Sequence, residues 1–205
     1  MSVLMEGLRE RKKRETQEAI AAAAMELFRE HGFDAVTVAE VARAADVSEK
    51  TVFNHFPTKE DLVFFRSEDR LAAQVEAIRT RAPGTSISQV FEAHTMEMLA
   101  RIEAGRFERM MATPRLVRGS PALQARLLTY WEYEAHELTL AVSEDDDVVA
   151  ATAVRSLAWA HRTIFRVAMK RLLSGEHPAM VAAELRLEAR RVYSRLEHGL
   201  AGFGT

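Results

Sequence analysis

Apolar positions recur three and four residues apart along most of the chain, and nowhere do they alternate as in a strand. No segment repeats. The first stripe is Ile20, Ala24, Leu27 and Phe28, and Gly32 closes it as a glycine placed just past a helix end. Thr37 then caps a short helix carrying Val38, Val41 and Ala42, with Glu40 completing a capping box. Asp46-Val47 closes that helix, and Ser48 caps the next one, beginning at Glu49. From this helix Val52, Phe53 and Phe56 are expected to face inward, leaving Lys50, Thr51, Asn54 and His55 nearer the outside; Pro57 stops it. Thr58, with Asp61 as its box partner, opens a helix expected to reach about Arg81 and to end at Ala82-Pro83-Gly84.

Further along, a helix from near Ser86 places Ile87, Val90, Phe91, His94, Met98 and Ile102 on one side. A short helix from Arg106 to Met111 is expected to stop at Thr113-Pro114, and another runs from Ser120-Pro121 to about Val142. The acidic run Glu144-Asp145-Asp146-Asp147 reads as the cap of a long helix to Leu173, since negative charge at a helix start complements the dipole. Ser174-Gly175 ends that helix, and Pro178 opens a last one to about His198. The pattern predicts an all-α chain. Three small helices form a helix-turn-helix domain over residues 9–57, and about six more form a bundle for ligand binding and dimerisation over residues 58–205.

Two short helices joined by a tight turn suit placement of the second one in the major groove of DNA. Lysine and threonine serve phosphates and base edges, and asparagine is the usual bidentate partner of adenine. Asn54 is the only asparagine in the chain. DNA contacts are accordingly expected from Thr37, Ser48, Lys50, Thr51, Asn54, His55 and Lys59, with the cluster Arg11, Lys12, Lys13 and Arg14 adding phosphate contacts. Residues 1–60 hold nine Lys and Arg against eleven Asp and Glu, so a local patch must carry the attraction, with acidic groups turned away.

This segment resembles the DNA-binding domain of the tetracycline-repressor (TetR) family. The likeness runs through residues 20–38 and 41–62. Its most specific parts are Gly32-Phe33, Thr37-Val38, Val47-Ser48, Thr51-Val52-Phe53 and the run Phe56-Pro57-Thr58-Lys59-Glu60-Asp61-Leu62. Many family members carry tyrosine where this chain has Phe53, and that hydroxyl often contacts a phosphate. Phe53 lacks it and is expected to pack inside, while His55, at another place where tyrosine is frequent, can still donate to a phosphate. The resemblance implies a regulator that dimerises through its last two long helices.

The residues of those helices point the same way. Val148, Val149, Thr152, Ala153, Ser156, Leu157, Ala160, Ile164, Phe165, Ala168 and Leu172 cover a wide face of one, and Val181, Leu185, Val192 and Leu196 a stripe of the other. Such a surplus suits a two-fold, four-helix interface, and two-fold symmetry predicts a palindromic operator. Aromatic and methionine residues with a few polar groups suit a pocket for a small apolar or acyl-type effector. Phe91, His94, Met98, Trp131, Trp159, His161, Arg162 and Phe165 are its expected lining.

With 205 residues, 48% of them hydrophobic, the chain is long enough for one good core and a small second domain. The absence of cysteine excludes disulfides and thiolate sites. No apolar run approaches the roughly twenty residues that span a bilayer, and the Arg and Lys near the N-terminus have no apolar stretch behind them, so neither a membrane anchor nor a secretory signal is expected. A cytoplasmic location follows. Two other readings stand beside the ligand-responsive repressor: an architectural DNA-binding protein without a small ligand, and a metal-bound helical-bundle enzyme. The second is weakly supported, since Glu97 follows His94 in the reverse of the Glu-x-x-His order, and no HExxH, P-loop, dinucleotide or GxSxG motif is present. Neither a cofactor nor a metal is expected.

Overall fold

A computed structural model describes residues 2–143 and 147–199, with side chains for all of these except 2–6, 8 and 109. Among the described residues the chain is all-α. Its helices are α1 (Ser2–His31), α2 (Val38–Ala44), α3 (Glu49–His55), α4 (Asp61–Phe64), α5 (Ser67–Arg79), α6 (Ile87–Glu103), α7 (Glu108–Gly119), α8 (Pro121–Leu140), α9 (Val148–Leu173) and α10 (Pro178–His198). They fall into two compact units, residues 1–68 with 112–128 and residues 69–111 with 129–205.

The first unit closes around Ile20, Ala24 and Phe28 of α1, Val41 of α2, Val52 of α3 and the consecutive Leu62, Val63 and Phe64 of α4, with Leu123 also enclosed. Both expected caps of the helix pair are made. Thr37 and Glu40 exchange capping-box bonds, and Ser48 Oγ accepts from the Thr51 amide at 3.1 Å. Between α2 and α3 the Val47 amide donates to the Ala42 carbonyl at 2.9 Å and the Asp46 amide to Arg43 at 3.3 Å. This is the six-to-one, five-to-two pairing of a Schellman end, with Asp46 in the left-handed position at φ 53°.

Three expectations are corrected. The first helix begins far upstream of Ile20. Its early turns bury no described side chain and are held by local pairs such as Arg11–Glu15 at 3.4 Å, which leaves no apolar stripe to mark them. The helix expected over Thr58–Arg81 is two helices. Thr58 and Asp61 do exchange box bonds, but Leu62, Val63 and Phe64 are all buried. Three consecutive residues sweep about 200° of helix circumference, more than one core face accepts, and the helix breaks after Phe64 to restart at Ser67. Finally, α7 runs through Pro114 instead of stopping there. Proline removes one bond, and Leu116 and Val117 beyond it pack against the first core.

In the second unit α10 packs most extensively on α6, and both pack on α9. Phe91, Leu99 and Ile102 of α6, Leu138 of α8, Ile164 and Ala168 of α9, and Val181, Leu185 and Tyr193 of α10 share one core. Asp147 caps α9 by accepting from the amides of Val149 and Ala150, each at 3.0 Å. Residues Glu144, Asp145 and Asp146 of the acidic run lie outside the described residues.

Candidate DNA interface and ligand cleft

Helix α3 is seven residues long, and its two faces are set by the helical period. Val52 and the C-cap Phe56, four residues apart, are buried together at 1% and 4% exposure. Lys50 and Asn54, also four apart, are exposed. Phe53 joins them, at 48% exposure, correcting the expectation that it packs inside. One residue beyond Val52 is about 100° around the helix, which carries Phe53 off the buried face. The outer surface thus reads Phe53, Lys50, Asn54 in order around the cylinder.

The remaining expected contacts are more engaged. Thr51 is half-buried, with its hydroxyl 2.8 Å from that of Ser48. Thr37 donates its hydroxyl to Glu40 at 2.8 Å, and the bonds from the Thr37 backbone and side chain hold the Glu40 carboxyl below its usual range. Lys59 Nζ lies 4.3 Å from the Phe33 ring centroid and 5.8 Å from that of Phe28, a cation–π placement that draws it partly inward. His55 is half-buried, and its Nδ1 is buried without a hydrogen-bond partner. Burial first, and then the charge of Lys13, push its imidazole below the usual range.

Several acidic groups in this unit are engaged by local partners. Glu26 and Glu30 pair with Arg29 at 2.6 and 3.2 Å, and Asp34 accepts from Ser120 at 2.8 Å. Asp61 takes two bonds from Arg126, at 3.1 and 2.8 Å. Burial pushes the Asp61 carboxyl up, but the bonds from Arg126 and Thr58 outweigh it and hold the group below the usual carboxylate range. Arg126 was not legible as a partner, because 65 residues separate it from Asp61.

The second unit carries a cleft lined by Gln74, Phe91, Glu134, Leu138, Ala158, His161 and Arg162, with an empty volume of about 180 Å³ that includes open solvent. Phe91, His161 and Arg162 were expected there; Gln74 and Glu134 were not. Glu134 accepts from Arg162, the two side chains being 18% and 17% exposed. The guanidinium also donates to the Trp131 carbonyl at 3.2 Å and lies 4.9 Å from its ring centroid. His94 packs on His161 with ring centroids 4.8 Å apart. Met98 is buried in the core, and Phe165 packs half-buried against it. Trp159 is 55% exposed, touching Trp131 edge-on at 6.0 Å.

Behind the cleft runs a buried polar chain. Thr95 Oγ1 lies 2.7 Å from the Tyr193 hydroxyl and 2.8 Å from His161 Nδ1. Tyr193 is 1% exposed, so its O–H needs an acceptor. That fixes the direction: Tyr193 donates to Thr95, Thr95 donates to His161 Nδ1, and the imidazole proton sits on Nε2. Burial, then His94 and Arg162, push the His161 imidazole down to about 3, and burial pushes the Tyr193 phenol up to about 12. His94 is likewise pushed down, chiefly by burial. Both rings are neutral near pH 7.

Residues 20–64 match the model of the bacterial regulatory proteins of the tetR family, a span that contains α2, α3 and α4 whole. The HTH-type transcriptional regulator TcmR of Streptomyces glaucescens is 32% identical over 127 residues. Over residues 20–64 the chain is similar to the TetR family. The TcmR match covers 60% of this chain and 56% of that regulator, so the chain spans little more than half of its relative's length. Two solved structures share the fold of this chain. NalD of Pseudomonas aeruginosa, the secondary repressor of the MexAB-OprM multidrug efflux pump, has a TM-score of 0.57 at 20% identity, covering 87% of this chain and 97% of NalD. GusR of Salmonella enterica has a TM-score of 0.55 at 16% identity, with coverage of 88% and 96%. Both the matched family and TcmR are transcriptional regulators.

Proposed function

We propose that the chain is a ligand-responsive transcriptional repressor that binds a palindromic operator as a homodimer and works in the cytoplasm. The carrying observation is the exposed Lys50–Asn54 face of α3, inside the segment that matches the tetR family model. In this reading Asn54 reads an adenine edge, and Lys50, Thr51 and the Lys13–His55 corner take phosphates, with Thr37, Ser48 and Lys59 at the margin. No helix among the described residues is long and apolar enough to cross a membrane.

The effector reading rests on the cleft of the second unit. The empty space of about 180 Å³ takes in open solvent, so the closed cleft has no room for a ligand of ordinary size. A small apolar or acyl-type ligand therefore enters by parting the Glu134–Arg162 pair, and so selects a conformation in which α8 and α9 are less tightly joined. Repression is lifted if that conformation spaces the two recognition helices badly, because a ligand shifts the population toward the state it binds better.

Footprinting on promoter-proximal DNA with a salt titration tests the reading: a protected palindrome whose affinity falls steeply with salt is expected. Asn54→Ala should weaken operator binding by about 1–3 kcal/mol and leave random-sequence binding unchanged. Equal losses on both DNAs would show that Asn54 reads no base.

A further inference from the structure

Phe53 is the exposed side chain of α3 that neither a polar contact to DNA nor helix stability accounts for. Its ring is 48% exposed, whereas Val52 and Phe56 on the adjoining face are buried. Around the helix it stands about 60° from Lys50 and about 100° from Asn54, so a groove that admits those two side chains also receives the ring. Phe53 can make no hydrogen bond. The base-edge feature complementary to an apolar ring in the major groove is the C5-methyl group of thymine. We propose that Phe53 is a specificity residue that packs on a thymine methyl within one or two base pairs of the adenine read by Asn54.

The proposal rests on the operator reading above. It makes each half-site sensitive to a single methyl group. It also gives the tyrosine-to-phenylalanine difference at this position a chemical consequence: the ring trades a hydrogen bond for an apolar contact.

The test uses the full chain and its footprinted operator. Each thymine of one half-site is replaced in turn by deoxyuridine, which keeps the base pair and removes only the methyl. Binding is followed by fluorescence anisotropy. With the wild-type chain, one position should lose about three- to fourfold in affinity, the worth of one buried methyl group. With Phe53→Ala, which removes an exposed side chain and should leave the thermal midpoint unchanged, that position should become indifferent to the substitution while other positions keep their behaviour. Two results overturn the assignment. Either no thymine methyl matters to the wild type, or the sensitive position remains equally sensitive in Phe53→Ala. Failure of the operator reading looks different: the wild-type chain then protects no site on unmodified DNA, and the proposal falls with it.

Discussion

Asp46 holds a left-handed backbone, φ 53°, at the place in a Schellman end where glycine is the usual choice. Aspartate tolerates the conformation because its short polar side chain does not crowd the backbone as a branched one would. The residue is exposed, so substitutions there test the turn between α2 and α3 with little effect on packing. Asp46→Val should cost about 1–2 kcal/mol, and Asp46→Asn should be nearly neutral, both read by urea unfolding of the full chain. Equal stability of the valine variant would mean that the turn relaxes into another conformation. At this scale the sequence was most legible where the chemistry is local. The caps at Thr37, Ser48 and Asp147 need only residues three positions away, and all are made. Phe53 shows that an apolar side chain is not by itself an inward one. The period of Val52 and Phe56 already placed it on the other side.

Among elements, the all-α character and most helix positions were readable from periodicity, but the break between α4 and α5 and which helices touch were not. The chain from Tyr193 on α10 through Thr95 on α6 to His161 on α9 joins residues 98 and 66 positions apart. No spacing rule announces such a pairing, and the same holds for Glu134 and Arg162. The chain has a measurable consequence. His161 is held neutral, its imidazole pushed down to about 3 by burial, His94 and Arg162. An unfolded histidine takes a proton near pH 6.5. The unfolded state therefore binds a proton that the native state refuses, and stability must fall as pH drops below about 6.5. His94 acts in the same direction. Between about pH 6.5 and 4.5, above most of the carboxylate range, wild-type stability should decline by up to about 1.4 kcal/mol per pH unit on account of His161. His161→Gln should flatten that decline in denaturant titrations across the window. An unchanged slope would mean that His161 is not kept neutral by the fold.

For the whole molecule, the question is which surface a second copy would cover. Seven of the fifteen residues expected to form the interface are occupied within the protomer. Leu157, Ala160, Ile164, Ala168 and Leu172 of α9, with Val181 and Leu185 of α10, are buried in the core. The apolar groups left on these helices lie on their outer sides: Val148, Val149 and Trp159 on α9, Met180, Leu187 and Val192 on α10, each between 36% and 79% exposed. Met180 and Leu187 are seven residues apart, two turns along one stripe, on the side of α10 opposite Val181 and Leu185. An apolar row of this kind is what a two-fold helical interface requires. Met180→Glu with Leu187→Glu places four like charges in that interface without disturbing the protomer core. The dimer should weaken by at least about 2–4 kcal/mol, some 30- to 1,000-fold, and light scattering should find a helical monomer at micromolar concentration. Operator affinity should fall with it, since a monomer engages only one half-site at a time. If the doubly substituted chain remains dimeric, the two copies meet through another surface, and the palindrome must be explained from there.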